Sequence, residues 1–307
     1  MDSKNKKILI TGGNGFLGQH VVRKLVDRGV PKENIFTPGA KELDLRERKN
    51  CDAAVKSREV VFHLAGNTGN VELSRVHPAE VFYDNLVMGV ELMDAARAAG
   101  AEKFITIGSA LEYPNNAPLP FKEEDLWSGP FEAFHAPYTI AKKMLLVQAQ
   151  AYRKQYGFNA VHAVLTSMYG PGEHEDGGPI PAFIKRIEEA KRSGTDFIEA
   201  WGTGAPTRDF LYVEDAVEGI ILMAEKYDKP DPVNLGSGME ISIKELIKLI
   251  VSIMHFNGEV RWDSSKPDGQ PRRMLDTSRA ELEIGFKATT RLEEGLKKTI
   301  DWHLNNK

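Results

Sequence analysis

Residues 6–18, KKILITGGNGFLG, decide the fold. Ile8, Leu9 and Ile10 form a short, unbroken apolar run of the kind that makes a buried parallel strand, and 16–28 carries helical spacing directly behind it. The glycines between them have separate tasks. Gly12 permits the tight turn, Gly15 lets the backbone approach a pyrophosphate, and Gly18 lets the helix pack on the strand with its amino-terminal dipole aimed at the anion. Phe16 and Leu17 open that helix and join the glycines on the cofactor side. A glycine turn alone closes many helices for structural reasons, but strand, turn and helix in this order predict dinucleotide binding.

The 307 residues are 41% hydrophobic and 27% charged, which fills the core of one large or two intimate domains. A net charge of -4 gives no electrostatic case for nucleic acid or an anionic membrane, so small-molecule partners are expected. The single cysteine, Cys51, forms neither an internal disulfide nor a multi-thiolate metal site; it reads as a small, partly buried residue suited to a reducing compartment. No metal is expected. No apolar run approaches bilayer length, and the polar first residues lack a signal-like apolar stretch, so the expected location is the cytoplasm.

Further strand patterns at 34–37, 59–64, 103–107 and 160–165 alternate with helical ones at 49–56, 78–99 and 138–156. That alternation predicts an α/β fold, a Rossmann-type doubly wound parallel sheet with right-handed crossovers. From Ser167 the texture changes, with Gly170-Pro171-Gly172, Gly177-Gly178-Pro179 and Gly202-Thr203-Gly204 separating shorter elements. Loops of this kind carry substrate contacts on a rigid scaffold. The expected division is a dinucleotide-binding domain over 1–166, joined by part of 205–235, and a smaller C-terminal substrate-binding domain made mainly of 167–307. Helices are expected over 180–192, 243–254 with Ser242 as cap, and 292–305.

An acidic residue at the tip of the second strand would hold a free ribose hydroxyl and repel a phosphate. Here the tip reads Thr37-Pro38-Gly39 with Lys41 behind it, so NADP(H) is favoured and NAD(H) stays open. Ligands lie beyond the carboxyl ends of parallel strands, which puts Leu64, Ala65, Gly66 and Asn67 on the cleft floor and Ser109 at its edge. His63, inside the strand pattern, reads as a core histidine satisfied by a neighbour. Tyr138 and Lys142 stand one helical turn apart, and an ammonium beside a phenol should lower the phenol's pKa from about 10.

Taken in order, the glycine turn, Ser109 and the Tyr138/Lys142 pair resemble the extended short-chain dehydrogenase/reductases that act on nucleotide sugars. Within that nucleotide-sugar epimerase/dehydratase group the chain is most similar to the GDP-L-fucose synthases, through TGGNGFLG, ELDL, GSALEYP, YTIAK, YGPG, WGTGAPTRDFLYVED, NLGSG and KPDGQPRRMLDTSRA. The resemblance spans essentially the whole length. It implies that Asp44 and Leu45 flank the adenine, that Ala65 and Gly66 touch the cofactor, and that Ser109, Tyr138 and Lys142 are catalytic. It also implies that Trp201, Arg208, Asp268 and Arg272 hold the nucleotide diphosphate of a nucleotide-diphosphate sugar, and that two copies pair as a homodimer through 78–99 and 138–156. Arginine forks suit a diphosphate that a chain of net charge -4 would otherwise repel.

The chain departs from that pattern at the proton-moving positions. Fucose synthases place a cysteine two residues past the serine and a histidine just before the next helix; here these are Leu111 and Gly178, and neither moves a proton. The Asp-Glu of the related dehydratases is Ala110-Leu111 here, and the asparagine before YGP is Ser167. What the resemblance then implies is redox chemistry at one sugar carbon, carbon 4, by a 4-keto-sugar reductase or a 4-epimerase. The alternatives are a fucose-synthase activity with a relocated acid-base pair, with His174 first to suspect, or a cofactor-binding sensor or scaffold without turnover. Glu112, His135, Glu173 and His174 are unassigned and read as solvated or structural.

Overall fold

The computed structural model describes residues 3–67, 75–175 and 177–306. The opening run forms strand β1 (Ile8–Thr11), and Gly15 begins helix α1 (Phe16–Asp27) in extended conformation. Strand β2 (Ile35–Phe36), helix α2 (Arg48–Val55), strand β3 (Val60–His63), helix α3 (Pro78–Ala98), strand β4 (Lys103–Ser109), helix α4 (Ala136–Tyr156) and strand β5 (Ala160–Leu165) follow. The second strand is shorter than its sequence pattern because Thr37 leaves the sheet to pack over Gly13 and Pro38 has no N–H for a ladder.

Beyond β6 (Ser167–Tyr169) come α5 (Pro179–Ser193), β7 (Phe197–Trp201), β8 (Thr207–Arg208), β9 (Phe210–Tyr212), α6 (Val213–Lys226) and β10 (Val233–Leu235). The chain ends with β11 (Ile241–Ser242), α7 (Ile243–Ile253), β12 (Glu259–Asp263), β13 (Arg272–Arg273), α8 (Ser278–Ile284) and α9 (Leu292–Asn305). Ser242 caps α7 as its sequence suggests, exchanging bonds with Glu245 in a capping box.

The six-stranded sheet runs β10-β5-β4-β3-β1-β2 with every pairing parallel. Alternate residues of one strand serve opposite faces. Ile8, Ile10, Val60 and Phe62 meet Val21 and Leu25 of α1 and Ile220 of α6, while Leu9, Val61 and Phe104 meet Cys51 of α2, Leu92 of α3 and Leu145 of α4. Helices on both faces make the sheet doubly wound, and strand order reverses between β1 and β3, where such sheets bind ligands. A second core gathers Ile184 and Ile187 of α5, Ala200 of β7, Leu246 and Ile250 of α7 and Leu296 of α9. Its residues all follow β5 in sequence, yet β10 returns to pair with β5 at the edge of the large sheet. No described helix is long and apolar enough to cross a membrane.

The glycines at the switch point leave no space. A Cβ on Gly18 would lie 2.1 Å from the Gly12 carbonyl oxygen, and one on Gly12 2.8 Å from the Ala65 nitrogen. Alanine would raise helix propensity at position 18 by about 1 kcal/mol, but overpacking against rigid backbone costs about 1–3 kcal/mol. Gly18→Ala should therefore destabilise the fold in urea titration; equal or greater stability would show that the turn is looser than described.

Candidate active site

A cleft of about 570 Å³ opens at the switch point, lined by Gly12, Gly15, Pro38, Asp44, Leu45, Ala65 and Gly66 among others. Its phosphate end is the turn itself: Gly12 has a positive φ of 69°, and the first N–H groups of α1 have no side-chain cap. Leu17 and Leu64 are half-buried against the core behind the cleft, and Phe16 stands edge-on to His20. The Thr11 hydroxyl accepts from the Ala65 N–H at 3.2 Å and bonds His63 Nδ1 at 2.9 Å, tying β1 to the turn after β3. Burial pulls His63 down to about 3, so it stays neutral; its Nδ1 is paired with Thr11, while its buried Nε2 has no hydrogen-bond partner among the described residues.

At the adenosine end the structure departs from the sequence reading. Lys41 is exposed and does not line the cleft, whereas Arg46 does. Arg46 holds Asp44 through Nε and one terminal nitrogen at 3.0 and 2.7 Å and reaches Asp84 on α3 at 3.1 Å. Nothing in the pattern after ELDL marks Arg46, because its partner Asp84 is remote in sequence. Cys51 is wholly buried, and burial pushes its thiol up to about 12.

The reacting edge lies where β4 ends. Ser109 is half-buried and starts a short 3₁₀ turn, Ala110–Glu112, with its Oγ accepting from the Leu111 N–H at 3.2 Å. Glu112 is fully buried and structural. Its carboxylate accepts the Ser109 N–H at 2.8 Å and faces His162 Nε2 at 3.3 Å, and His162 Nδ1 bonds Thr106 at 2.5 Å. Gly108 makes the room, since a Cβ there would meet Glu112 at 2.2 Å and His162 at 2.3 Å.

Tyr138 and Lys142 rise from the first turns of α4. Lys142 is buried beneath the turn after β3, 3.5 Å from the Ala65 carbonyl oxygen and 3.1 Å from where a Gly66 Cβ would stand. Among the described residues no carboxylate bonds it, and burial pulls its ammonium down to about 8, partly opposed by the charge of Glu112. The expected lowering of the Tyr138 pKa does not occur. Burial, aided by Glu112, raises the phenol above its ordinary value, and Lys142 Nζ stands 5.9 Å from the ring centroid. Asn85, a buried polar residue of α3, fixes the floor: its side chain accepts from the Asn67 N–H at 3.1 Å and donates to the Asn67 carbonyl at 2.9 Å.

On the substrate side, Trp201 ends β7 with 63% of its surface exposed, and Lys266 lies 5.6 Å from its ring centroid. Asp268 accepts from the Thr203 N–H and hydroxyl at 2.6 and 2.7 Å, so it braces the loop that presents Trp201. Arg208 is half-buried and donates to the Thr207 and Gln270 carbonyls, both at 2.7 Å. The fork expected from Arg272 is already engaged by Glu240 at 2.7 Å and is exposed. Side chains alternate along a strand, so the residue beside Arg208 is Arg273, its register partner between β8 and β13. Burial and then the charge of Arg208 pull Arg273 down to about 10, and its Nε donates to the Gln270 side chain. Two neighbouring arginines held by amide groups rather than by carboxylates suit an anion with two charged centres.

Leu111 is half-buried beside Ser109, and Gly178 starts α5. His174 is exposed, but the carboxyl of Glu173 lies 3.3 Å from where a Gly178 Cβ would stand. Burial pushes Glu173 up to about 8, and its Oε2 has no hydrogen-bond partner among the described residues. No metal-binding cluster occurs among the described residues.

Comparison with known proteins agrees with this geometry. Residues 8–236 match the model of the NAD dependent epimerase/dehydratase family. The chain is 37% identical over 309 residues to a probable GDP-L-fucose synthase of Oryza sativa subsp. japonica, covering 99% of this chain and 93% of the relative. Among solved structures it is similar to a GDP-mannoheptose C4 reductase from Campylobacter jejuni with NADP bound, at a TM-score of 0.91 and 26% identity over 99% of both chains. A GDP-L-fucose synthetase from Naegleria fowleri bound to NADP superposes at 0.88 with 25% identity, over 100% of this chain and 96% of the other.

The buried lysine generates a pH-dependent prediction. Lys142 has a folded pKa of about 8, below an unfolded value of about 10.4, so the unfolded chain binds more protons between those values and stability rises with pH across that window. Below pH 8 the whole penalty, up to about 3 kcal/mol, is present. Lys142→Met should be more stable than the parent at pH 7 and lose that advantage by pH 10. Urea midpoints at the two pH values decide it, and a gap that does not narrow would contradict the assignment.

Proposed function

The chain belongs to the NAD dependent epimerase/dehydratase family, and from that membership we propose that it is an NADP(H)-dependent oxidoreductase reducing carbon 4 of a GDP-linked 4-keto sugar. The cleft fits the cofactor on its own geometry: a turn too crowded for side chains, an uncapped helix start and an apolar wall at Leu43 and Leu45. NADPH, when bound, supplies the hydride for carbon 4. Gly12 and Gly15 approach its pyrophosphate, Asp44 and Leu45 flank the adenine, and Arg46 replaces Lys41 as the cation nearest the ribose. Arg208 and Arg273 grip the diphosphate, with Trp201 as a platform for the base.

The observation that carries this reading is the pairing of Tyr138 and Lys142 one turn apart on α4, with the buried ammonium 5.9 Å from the phenol ring centroid. A protonated tyrosine is the group a carbonyl needs. Tyr138 donates to the oxygen on carbon 4, Ser109 hydrogen-bonds the same oxygen, and Lys142 stabilises the tyrosinate that forms. Leu111 and Gly178 offer no proton carrier for carbons 3 and 5, and losing such a group typically costs about 10²- to 10⁴-fold in rate.

Glu173 favours a second reading. Its carboxyl, kept protonated by burial, stands beside Gly178 and would restore one proton carrier for 3,5-epimerisation. Turnover of GDP-4-keto-6-deoxymannose with NADPH in deuterated water, followed by NMR, separates the two. Carbon-4 reduction without deuterium at carbons 3 and 5, and loss of reduction in Tyr138→Phe, is the expected result. Deuterium at carbon 3 or 5 that disappears in Glu173→Gln would replace it with the bifunctional reading.

We also propose a homodimer. Phe82 and Tyr83 on α3 and Val147 and Tyr156 on α4 leave apolar surface exposed, 57% in the case of Tyr83, on the two helices that would form a four-helix interface. The buried Cys51 thiol suits the cytoplasm. Light scattering at micromolar concentration should give about twice the chain mass, and Val147→Glu should return the monomer. A monomeric parent would rule the interface out.

A further inference from the structure

Glu132 and His135 lie in the loop that leads into α4, and their side chains are joined at 2.7 Å between Oε2 and Nδ1. Nothing in the reaction described above uses them. The pair is well fixed. Thr139 bonds the His135 carbonyl through its N–H at 2.9 Å and its hydroxyl at 3.0 Å, and Phe134 stands edge-on to the imidazole with centroids 4.8 Å apart. Although His135 occupies the N-cap position of α4, its side chain makes no capping bond, so helix geometry does not explain it.

Its position is informative at both ends. Tyr138 follows three residues later, one turn along α4, and marks the reacting carbon. In the other direction, the charge of Glu132 favours the charged forms of Arg208 and Arg273, the two arginines assigned above to the diphosphate. A nucleotide sugar held at both places must carry its ring past the loop between them. Nδ1–H donation to a carboxylate fixes the tautomer and leaves the lone pair on Nε2, and that nitrogen has no partner among the described residues.

We infer that His135, oriented by Glu132, recognises a ring hydroxyl of the sugar through Nε2 and is a specificity-determining residue of this site. The inference rests on the nucleotide-sugar reading.

Calorimetry on the full chain with NADPH present, using GDP and GDP-mannose as probes, tests it. His135→Ala should lower the affinity for GDP-mannose relative to GDP by about tenfold, the size of one lost hydrogen bond, with GDP and NADPH binding unchanged. His135→Gln, whose amide reaches a hydroxyl, should recover part of the loss. An unchanged ratio of the two affinities, or an equal loss for both probes, overturns the role of His135. A parent chain that binds NADPH but neither probe overturns the nucleotide-sugar reading, and this inference falls with it.

Discussion

Three stretches of backbone crowd together at Gly12, Gly18 and Ala65, and the geometry of the site follows from the absence of side chains there. With a Gly18 Cβ excluded by a carbonyl oxygen 2.1 Å away, α1 can start directly over the end of β1 and point its free N–H groups into the cleft. With a Gly12 Cβ nearly as close to Ala65, the turn after β3 is pinned to the same point, and the Thr11 hydroxyl completes the tie. That turn carries the carbonyl nearest Lys142 and the glycine that lets its ammonium in. The glycine turn and Lys142, more than a hundred residues apart in sequence, thus share one close contact.

Many of the sequence blocks shared with the fucose synthases hold the substrate half against the sheet rather than meet a ligand. Asp215 accepts from the N–H groups of Thr289 and Thr290 at 3.2 and 2.9 Å, and Asp209 accepts from the N–H and hydroxyl of Ser237 at 2.9 and 2.6 Å. Asn234 receives the Tyr113 hydroxyl at 2.8 Å and donates to the carbonyls of Phe121 and Asp276. In each case a side chain satisfies backbone groups or a hydroxyl that would otherwise be left unpaired in or near the interior, at a cost of about 1–3 kcal/mol each. A shared motif is therefore a weaker sign of chemistry than its position at a strand end.

Legibility of the sequence follows the range of the interaction concerned. The alternation of apolar runs gives the sheet and its helices to within a residue or two, because strand and helix periods are local, and the same reading puts Ala65 and Gly66 just past the end of β3 and Ser109 at the end of β4, where they lie. That Arg273 rather than Arg272 stands in register with Arg208 is not legible in the sequence, because it depends on the pairing of β13 with β8, two segments more than sixty residues apart. Arg46 is hidden for the same reason, since Asp84 reaches it from another element. The sign of the Tyr138 shift is also non-local. Helical spacing brings Lys142 near the ring, but burial and the remote Glu112 decide the phenol's state.

The distribution of charge differs between the surface and the cleft of this chain of net charge -4. Most basic side chains engage carboxylates at the surface, as Arg48 does with Asp52 and Asp94, and these pairs contribute little field at a distance. At the cleft the pattern inverts: Lys142 bonds only a backbone carbonyl, and Arg208 and Arg273 lean on amide oxygens while repelling one another. Each arrangement costs stability in isolation, because burial outweighs the opposing charges of Glu112 at Lys142 and of Glu132 at the two arginines. An anionic ligand removes that cost on binding. Local relief of this kind is compatible with an overall negative charge, because it depends on the groups lining the cleft and not on the sum over the surface.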